Sequence, residues 1–274
     1  FEALPDLDME VKLAEFAEFE LTSNLDHLTV DERAILPLLF EAASIMENIF
    51  WKQAIGNKED FLNRIKDEKA RMFAQIHYGP WDRMNNNEPF LTNIGLKPEG
   101  ANFYPDDMTK EEFENFTDPD KTSQYTLIRR DEDGNLKVLW YHEAYRVQIE
   151  KAVDLLRKAA EISENDGFKN YLNLRAEALL TDDYKASDMA WMDMKNSNID
   201  FIVGPIENYE DQMFGCKAAF ESFILIKDPD WSSRLQRFAA LLPSLQTMIP
   251  TNEKYLKDAP GSDSDLNVYD AIFY

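Results

Sequence analysis

The sequence predicts a predominantly α-helical α+β fold with a β-hairpin and one or two further short strands. Three observations carry that expectation. Apolar residues recur at three-to-four spacing through most of the 274 residues. Strand-like runs are few, and one pair of them flanks a short polar turn. At 44% hydrophobic and 12% aromatic residues the chain has material for a sizeable core, which excludes a wholly disordered or collagen-like chain.

The helical elements follow in order. Thr29 with Glu32 forms a capping-box pattern, and Ile35, Leu38, Leu39, Ala42, Ile45, Met46, Ile49 and Phe50 then share one broad face. Pro37 is expected to kink that helix or mark its true start. A second helix is expected from about Asn57, with Phe61, Ile65, Met72, Phe73 and Ile76 on its buried stripe. Thr109 and Glu112 cap a short third one presenting Phe113 and Phe116. The longest helical pattern runs over 143–163, and further ones cover 168–180 and 232–248.

Strands are expected at 125–130 and 136–140, a hairpin closed by Asp131-Glu-Asp-Gly-Asn135 with Gly134 suited to positive φ. Ile199–Val203 reads as a short strand ended by Gly204-Pro205. The run 220–226 fits strand or helix equally. Between 78 and 105 four prolines, three glycines and the run Asn85-Asn-Asn87 predict a long irregular segment of the kind that often carries function. The chain closes on the apolar Ala271-Ile-Phe-Tyr274 after a polar Pro260–Asp265 loop. A strand of that kind needs a neighbour, so the natural chain is expected to continue beyond Tyr274, with a buried terminal strand as the alternative.

Charge narrows the functional classes. Against 29 Lys and Arg stand 52 Asp and Glu, a net charge of −23. Binding to a phosphate backbone rests on basic patches, so nucleic acid is not an expected partner, nor is an anionic membrane surface. A ligand carrying an amine is electrostatically welcome. The longest uninterrupted apolar run that contains a proline, Ile35–Phe40, is far short of a membrane span. The chain opens Phe-Glu-Ala-Leu-Pro-Asp with neither an initiator Met nor a basic-then-apolar leader, so any export signal is expected to be already removed. Location is left open between cytoplasm and bacterial cell envelope.

Several chemistries fail on spacing. His142-Glu143 opens like the His-Glu-x-x-His zinc signature, yet the second His is replaced by Arg146 or Val147. His27 and His77 are the other histidines, and His77 is expected to hydrogen-bond within its own loop. The single cysteine, Cys216, excludes an internal disulfide and a thiolate zinc cluster, and reads as a structural thiol. Gly95 and Gly100 have phosphate-loop spacing, but Ala101-Asn102 stand where Lys-Ser/Thr is needed. No Gly-x-Ser-x-Gly elbow is present.

Two clusters remain. Gly79–Phe90 mixes aromatic surface (Trp81, Phe90) with amides and charges, which suits a polar ligand or simply anchors a loop to the core. Asp200-Phe-Ile-Val-Gly-Pro-Ile-Glu207-Asn-Tyr209-Glu-Asp211 puts carboxylates at both ends of a strand and turn. They either hold a cation or form a solvated acidic turn.

The second cluster resembles a segment of the dipeptidyl-peptidase III family of zinc peptidases, where Val-Glu-Ser-Tyr-Ile-Gly runs into Gly-Phe-Ile-Glu-Ser-Tyr-Arg-Asp, then Phe-Gly and Phe-Glu-Gly-Phe. His77-Tyr-Gly-Pro-Trp-Asp-Arg83, Lys97-Pro-Glu-Gly-Ala-Asn-Phe-Tyr-Pro105 and the stretch Trp231–Pro243 are similar to the bacterial branch. The likeness runs from about residue 30 through most of the chain, with the 199–223 block its specific part.

The resemblance implies a two-lobed enzyme whose zinc sits on a His-Glu-x-x-x-His helix in a C-terminal lobe. Residues 1–274 would then be the N-terminal, non-zinc lobe, undivided or split into a helical part (1–120) and a hairpin-plus-helix part (121–274). Zinc would belong to the full-length parent, with no cofactor bound by this chain and no catalytic residue in it. Asp200 stands at the glutamate position that binds the substrate's free amino terminus. Ile202 departs from the tyrosine that lines the same subsite, which puts dipeptidyl specificity in question. Glu207 and Tyr209 match Ile-Glu-Ser-Tyr and are expected to support the cleft wall, with Trp81 as a further substrate-binding candidate.

The function expected is substrate binding for a zinc-dependent exopeptidase that releases short peptides from the N-terminus of oligopeptides, with the peptide and the missing zinc lobe as partners. The alternative is a non-catalytic acidic helical module binding an oligosaccharide or a protein.

Overall fold

The computed structural model describes residues 1–256 and 266–274. The fold is mixed α and β, mostly helical, with small antiparallel sheets. In chain order the first helices are α1 (Met9–Leu13), α2 (Val30–Ala54), α3 (Lys58–Asn63) and α4 (Glu68–Ile76). A two-residue hairpin, β1 (Trp81–Asp82) and β2 (Glu88–Pro89), precedes α5 (Lys110–Asn115) and the hairpin β3 (Thr126–Arg130) and β4 (Leu136–Trp140). Then come α6 (Tyr141–Ala144), α7 (Arg146–Ile162), α8 (Asp166–Thr181) and α9 (Lys185–Asp193). The main sheet is β5 (Ile199–Glu207), β6 (Ala219–Asp228) and β7 (Val268–Phe273), in the order β5-β6-β7, with α10 (Pro229–Ala239) and α11 (Leu242–Met248) between its last two strands.

Helix α2 is the spine. Its capping box is complete: the Glu32 amide donates to Thr29 Oγ1 at 3.1 Å and the Thr29 amide to Glu32 Oε2 at 2.8 Å, satisfying two orphan donors. Pro37 lies inside the helix and does not start it. By length and composition α2 is apolar enough to cross a membrane. That apolarity is accounted for by the core: Leu39, Ala42, Ala43, Met46 and Ile49 are fully buried where α2 packs on α7 and β6. The larger apolar core runs from Leu28 to Ile226 and joins residues on both sides of position 120. A smaller one gathers Met9, Trp51, Phe61, Phe73, Phe90 and Leu91 around the first helices.

The main sheet is tied to these helices through its backbone. Gln53 of α2, wholly buried, accepts the Phe220 amide at 2.8 Å and donates to the Ala218 carbonyl at 3.3 Å. Tyr141 also donates to Ala218 O, at 2.9 Å. On the outer strand β5, Ser197 donates to the Ile199 carbonyl and Tyr171 to the Phe201 carbonyl, both at 2.6 Å.

Several elements differ from the sequence expectation. The helix expected from Asn57 is two, α3 and α4, because Arg64–Asp67 turns the chain. Met72 and Ile76 then fall on the outer face, 49% and 40% exposed, while Phe61, Ile65 and Phe73 are buried. The 143–163 pattern breaks at Tyr145 into α6 and α7, and 232–248 breaks before Pro243, whose missing N–H cannot continue α10. Strand β5 does not end at Gly204-Pro205 but continues to Glu207. Gly204 reaches this at φ +126 and Pro205 pairs with Phe220. Residues 220–226 are strand.

The terminal apolar run finds its neighbour within the chain, since β7 pairs with β6 from Ile224–Phe273 to Asp228–Val268. The Pro260–Asp265 loop lies outside the described residues. In the 78–105 segment Asn86 and Asn87 both adopt positive φ, 52° and 59°, the conformation asparagine tolerates best after glycine. That is why the asparagine run sits at the β1–β2 turn.

Candidate functional site

The 199–211 segment is built by alternation along β5. Its register pairs Asp200 with Leu225, Ile202 with Phe223 and Gly204 with Glu221, so these six residues share one sheet face. On the opposite face Ile199, Phe201 and Val203 are buried in the core. Asp200 is itself 9% exposed. Its Oδ1 accepts the indole N–H of Trp191 on α9 at 2.8 Å, and the Phe201 amide lies beside the same carboxylate. Burial pushes the Asp200 carboxyl above its ordinary value, and these two donors pull it back.

Further along the same strands the sheet face opens into a cavity of about 450 Å³. Its carboxylates are Glu47, Glu207 and Glu221, and its rings include Tyr78, Tyr209, Phe223 and Tyr274. Tyr209 stands beside Glu221, and burial next to that carboxylate raises the phenol. Glu221 Oε1 is buried with no partner, and desolvation raises this carboxyl too. Arg83 also lines the cavity, but its guanidinium is engaged: Nη1 and Nη2 hold Glu210 at 2.6 and 3.1 Å. The cavity is therefore an acidic, aromatic-walled recess suited to a cation with apolar substituents.

The sequence left the Glu210-Asp211 turn open between a cation site and a solvated acidic loop, and the structure makes it neither. Glu210 is buried between Arg83 and Lys97. Asp211, also buried, accepts the amides of Met213, Phe214, Cys216 and Lys217 and the Tyr104 hydroxyl. Both carboxylates are occupied by the protein's own donors, which fixes the loop between β5 and β6.

Glu207 and Tyr209 come together at the cavity, joined to Ile202 through its cross-strand partner Phe223. Asp200 lies on the same face, about 13 Å up the strand from Gly204 at the usual rise per residue. Trp81 is not part of this group. It lines a separate recess of about 460 Å³ with Asn57, Arg64 and Asn93, and its indole N–H is bound to Gly95 O at 2.9 Å. His77 bonds within its loop as expected, accepting the Arg83 amide at Nδ1. His142 is held by Asp182 at 2.7 Å.

Sequence reasoning did not single out Trp191 or Glu221. Glu221 lies in the 199–223 block, within Phe220-Glu-Ser-Phe223, and its pairing with Gly204 needs the register of a strand whose type the pattern leaves undecided. No local signal marks Trp191, since α9 itself was not anticipated. Among the described residues no group of three or more His, Cys, Asp or Glu side chains could hold a metal ion. The zinc implied by the resemblance therefore has no fitting ligand set in this part of the chain.

Comparison with known proteins agrees with this architecture. The family model described as peptidase family M49 matches residues 117–263, more than half of the chain. An Arabidopsis thaliana protein named Nudix hydrolase 3 is 30% identical over 329 aligned positions, covering 97% of this chain and 42% of that protein. The solved structure of DPP III from Caldithrix abyssi is 38% identical with a TM-score of 0.88, over 96% of this chain and 52% of that one. Dipeptidyl-peptidase III from Corallococcus sp. strain EGB is 29% identical with a TM-score of 0.84, over 97% and 52%. The chain thus spans about half the length of these relatives. With matching fold, family model and solved neighbours, the chain belongs to peptidase family M49, the dipeptidyl-peptidase III family.

Proposed function

We propose that this chain is the substrate-binding lobe of a zinc-dependent exopeptidase releasing short peptides from the N-terminus of oligopeptides, with the zinc held by a second lobe outside these residues. The observation that carries the reading is the single sheet face that joins the nearly buried Asp200 to the acidic, aromatic cavity. Family membership gives that face its substrate class. Asp200 receives the peptide's terminal ammonium, an interaction strengthened where water is scarce. Ile202 offers only an apolar wall beside it, which relaxes selection at that subsite. Glu207, Tyr209 and Glu221 line the recess further down the strands, and the Arg83–Glu210–Lys97 cluster braces the turn that carries Tyr209. The core common to residues before and after 120 favours one lobe over two parts.

The test is peptide hydrolysis by the full-length, zinc-loaded protein, with free and N-acetylated forms of one oligopeptide compared. Asp200→Asn should lower kcat/KM for the free-amine peptide by on the order of a hundredfold and leave the acetylated one unchanged. An unaltered preference would sink the assignment of Asp200. Absence of hydrolysis together with saccharide binding at the Trp81 recess would replace the reading with a binding module.

A further inference from the structure

We infer that the apolar face of α10 and α11 is a docking surface for the half of the parent protein that follows Tyr274. The inference takes from the proposed function only that such a half exists.

Helix α10 is amphipathic with the usual orientation reversed. Trp231, Leu235 and Phe238 recur at spacings of four and three, so they share one stripe, which a surface helix ordinarily turns to the core. Here the residue buried against the sheet is polar. Ser232 donates to Val268 O at 3.3 Å and accepts the Val268 amide at 3.0 Å, which pins α10 to the start of β7. Trp231 and Phe238 are left 56% and 67% exposed. Helix α11 and its flanks prolong the face with Leu241, Leu245, Met248 and Ile249, all exposed, and no residue of α11 is buried. A single apolar side chain on a surface is ordinary, but such a series along two consecutive helices marks an interaction site. Arg234 lies over the Trp231 ring at 4.7 Å, and both side-chain types are enriched at interface anchors.

The occupant follows from charge and chain length. Residues 257–265, Lys-Asp-Ala-Pro-Gly-Ser-Asp-Ser-Asp, bring no large apolar side chain to cover the face. A second copy would set one net charge of −23 against another, and an anionic membrane would be repelled in the same way. A covalently attached segment escapes that penalty, because tethering makes docking an intramolecular step that a modest apolar patch can drive. The solved relatives are matched over 52% of their chains, so about half of a protein of this length class lies outside the matched part. Residues following Tyr274 also leave from β7, the strand that Ser232 ties to α10.

Two measurements on the full-length, zinc-loaded protein test this. Phe238→p-benzoylphenylalanine, irradiated and digested, should cross-link within one molecule to residues beyond 274. In the unsubstituted protein, peroxide should oxidise Met248 about tenfold or more slower than Met84, although the two are 74% and 79% exposed in residues 1–274, because thioether oxidation follows exposure. Cross-links between two copies, or confined to residues before 274, would overturn the docking, as would equal oxidation of the two methionines. A longer protein whose α10–α11 face stays open loses only this inference. A natural protein that ends near Tyr274 would remove the two-lobed reading as well.

Discussion

Glu221 combines an oxygen buried without a donor, a tyrosine hydroxyl as neighbour and a carboxyl raised by desolvation. The sign of its effect on stability follows. Between the ordinary carboxylate range and its raised folded value, the native state holds more protons than the unfolded one. Stability attributable to this residue therefore falls as pH rises through that window and stays reduced above it. Glu221→Gln should melt roughly 2–4 °C higher than wild type at pH 7, with the difference shrinking toward pH 4 in a thermal melt series. An equal gain at both pH values would refute the linkage. The acidity of this region was legible in the sequence, but the fate of each carboxylate was not. Nothing local shows that Glu210 meets Arg83, 127 positions away, or that one oxygen of Glu221 is buried without a donor. Lys217 is a parallel case. Its ammonium is buried, donates to Lys121 O, Ser123 O and Thr126 Oγ1, and is lowered to about 8 by desolvation.

Among the elements, those announced by local chemistry emerge where the sequence puts them. Thr29 with Glu32 caps α2, Thr109 caps α5, and the 131–135 turn closes β3 on β4. Helices that depend on tertiary partners were illegible. The nine residues of α9 leave most of their apolar side chains exposed, so no buried stripe announces the helix. Its stability is instead assigned to Arg175 of α8, which donates to Asp188 of this helix at 2.6 Å. Replacing Arg175 by Met should speed amide exchange across Lys185–Asp193 by about tenfold or more while α8 remains protected, as expected of a locally opening unit. Uniform exchange in both helices would place the anchor of α9 elsewhere.

For the molecule as a whole, the helical α+β class was readable because periodicity sums over long segments, whereas the joint between Asp200 and the cavity required strand register. The surplus of acidic residues has a kinetic consequence. On the proposed function, a net charge of −23 would draw cationic peptides toward a recess that itself carries Glu47, Glu207 and Glu221. Raising salt from 50 to 500 mM should lower kcat/KM several-fold for a lysine-bearing oligopeptide and much less for an uncharged-side-chain analogue, since screening shortens the reach of the field. Equal responses would assign the effect to something other than steering.

The outward edge of β5 carries a further consequence. The Ile199 carbonyl is taken by Ser197 and the Phe201 carbonyl by Tyr171, while Pro205 has no N–H to offer. An extended segment from another molecule would find that ladder interrupted at 199, 201 and 205. Runaway strand addition, the usual hazard of an unpaired sheet border, is thereby blunted on this side by three residues that also shape the strand beneath the proposed binding face.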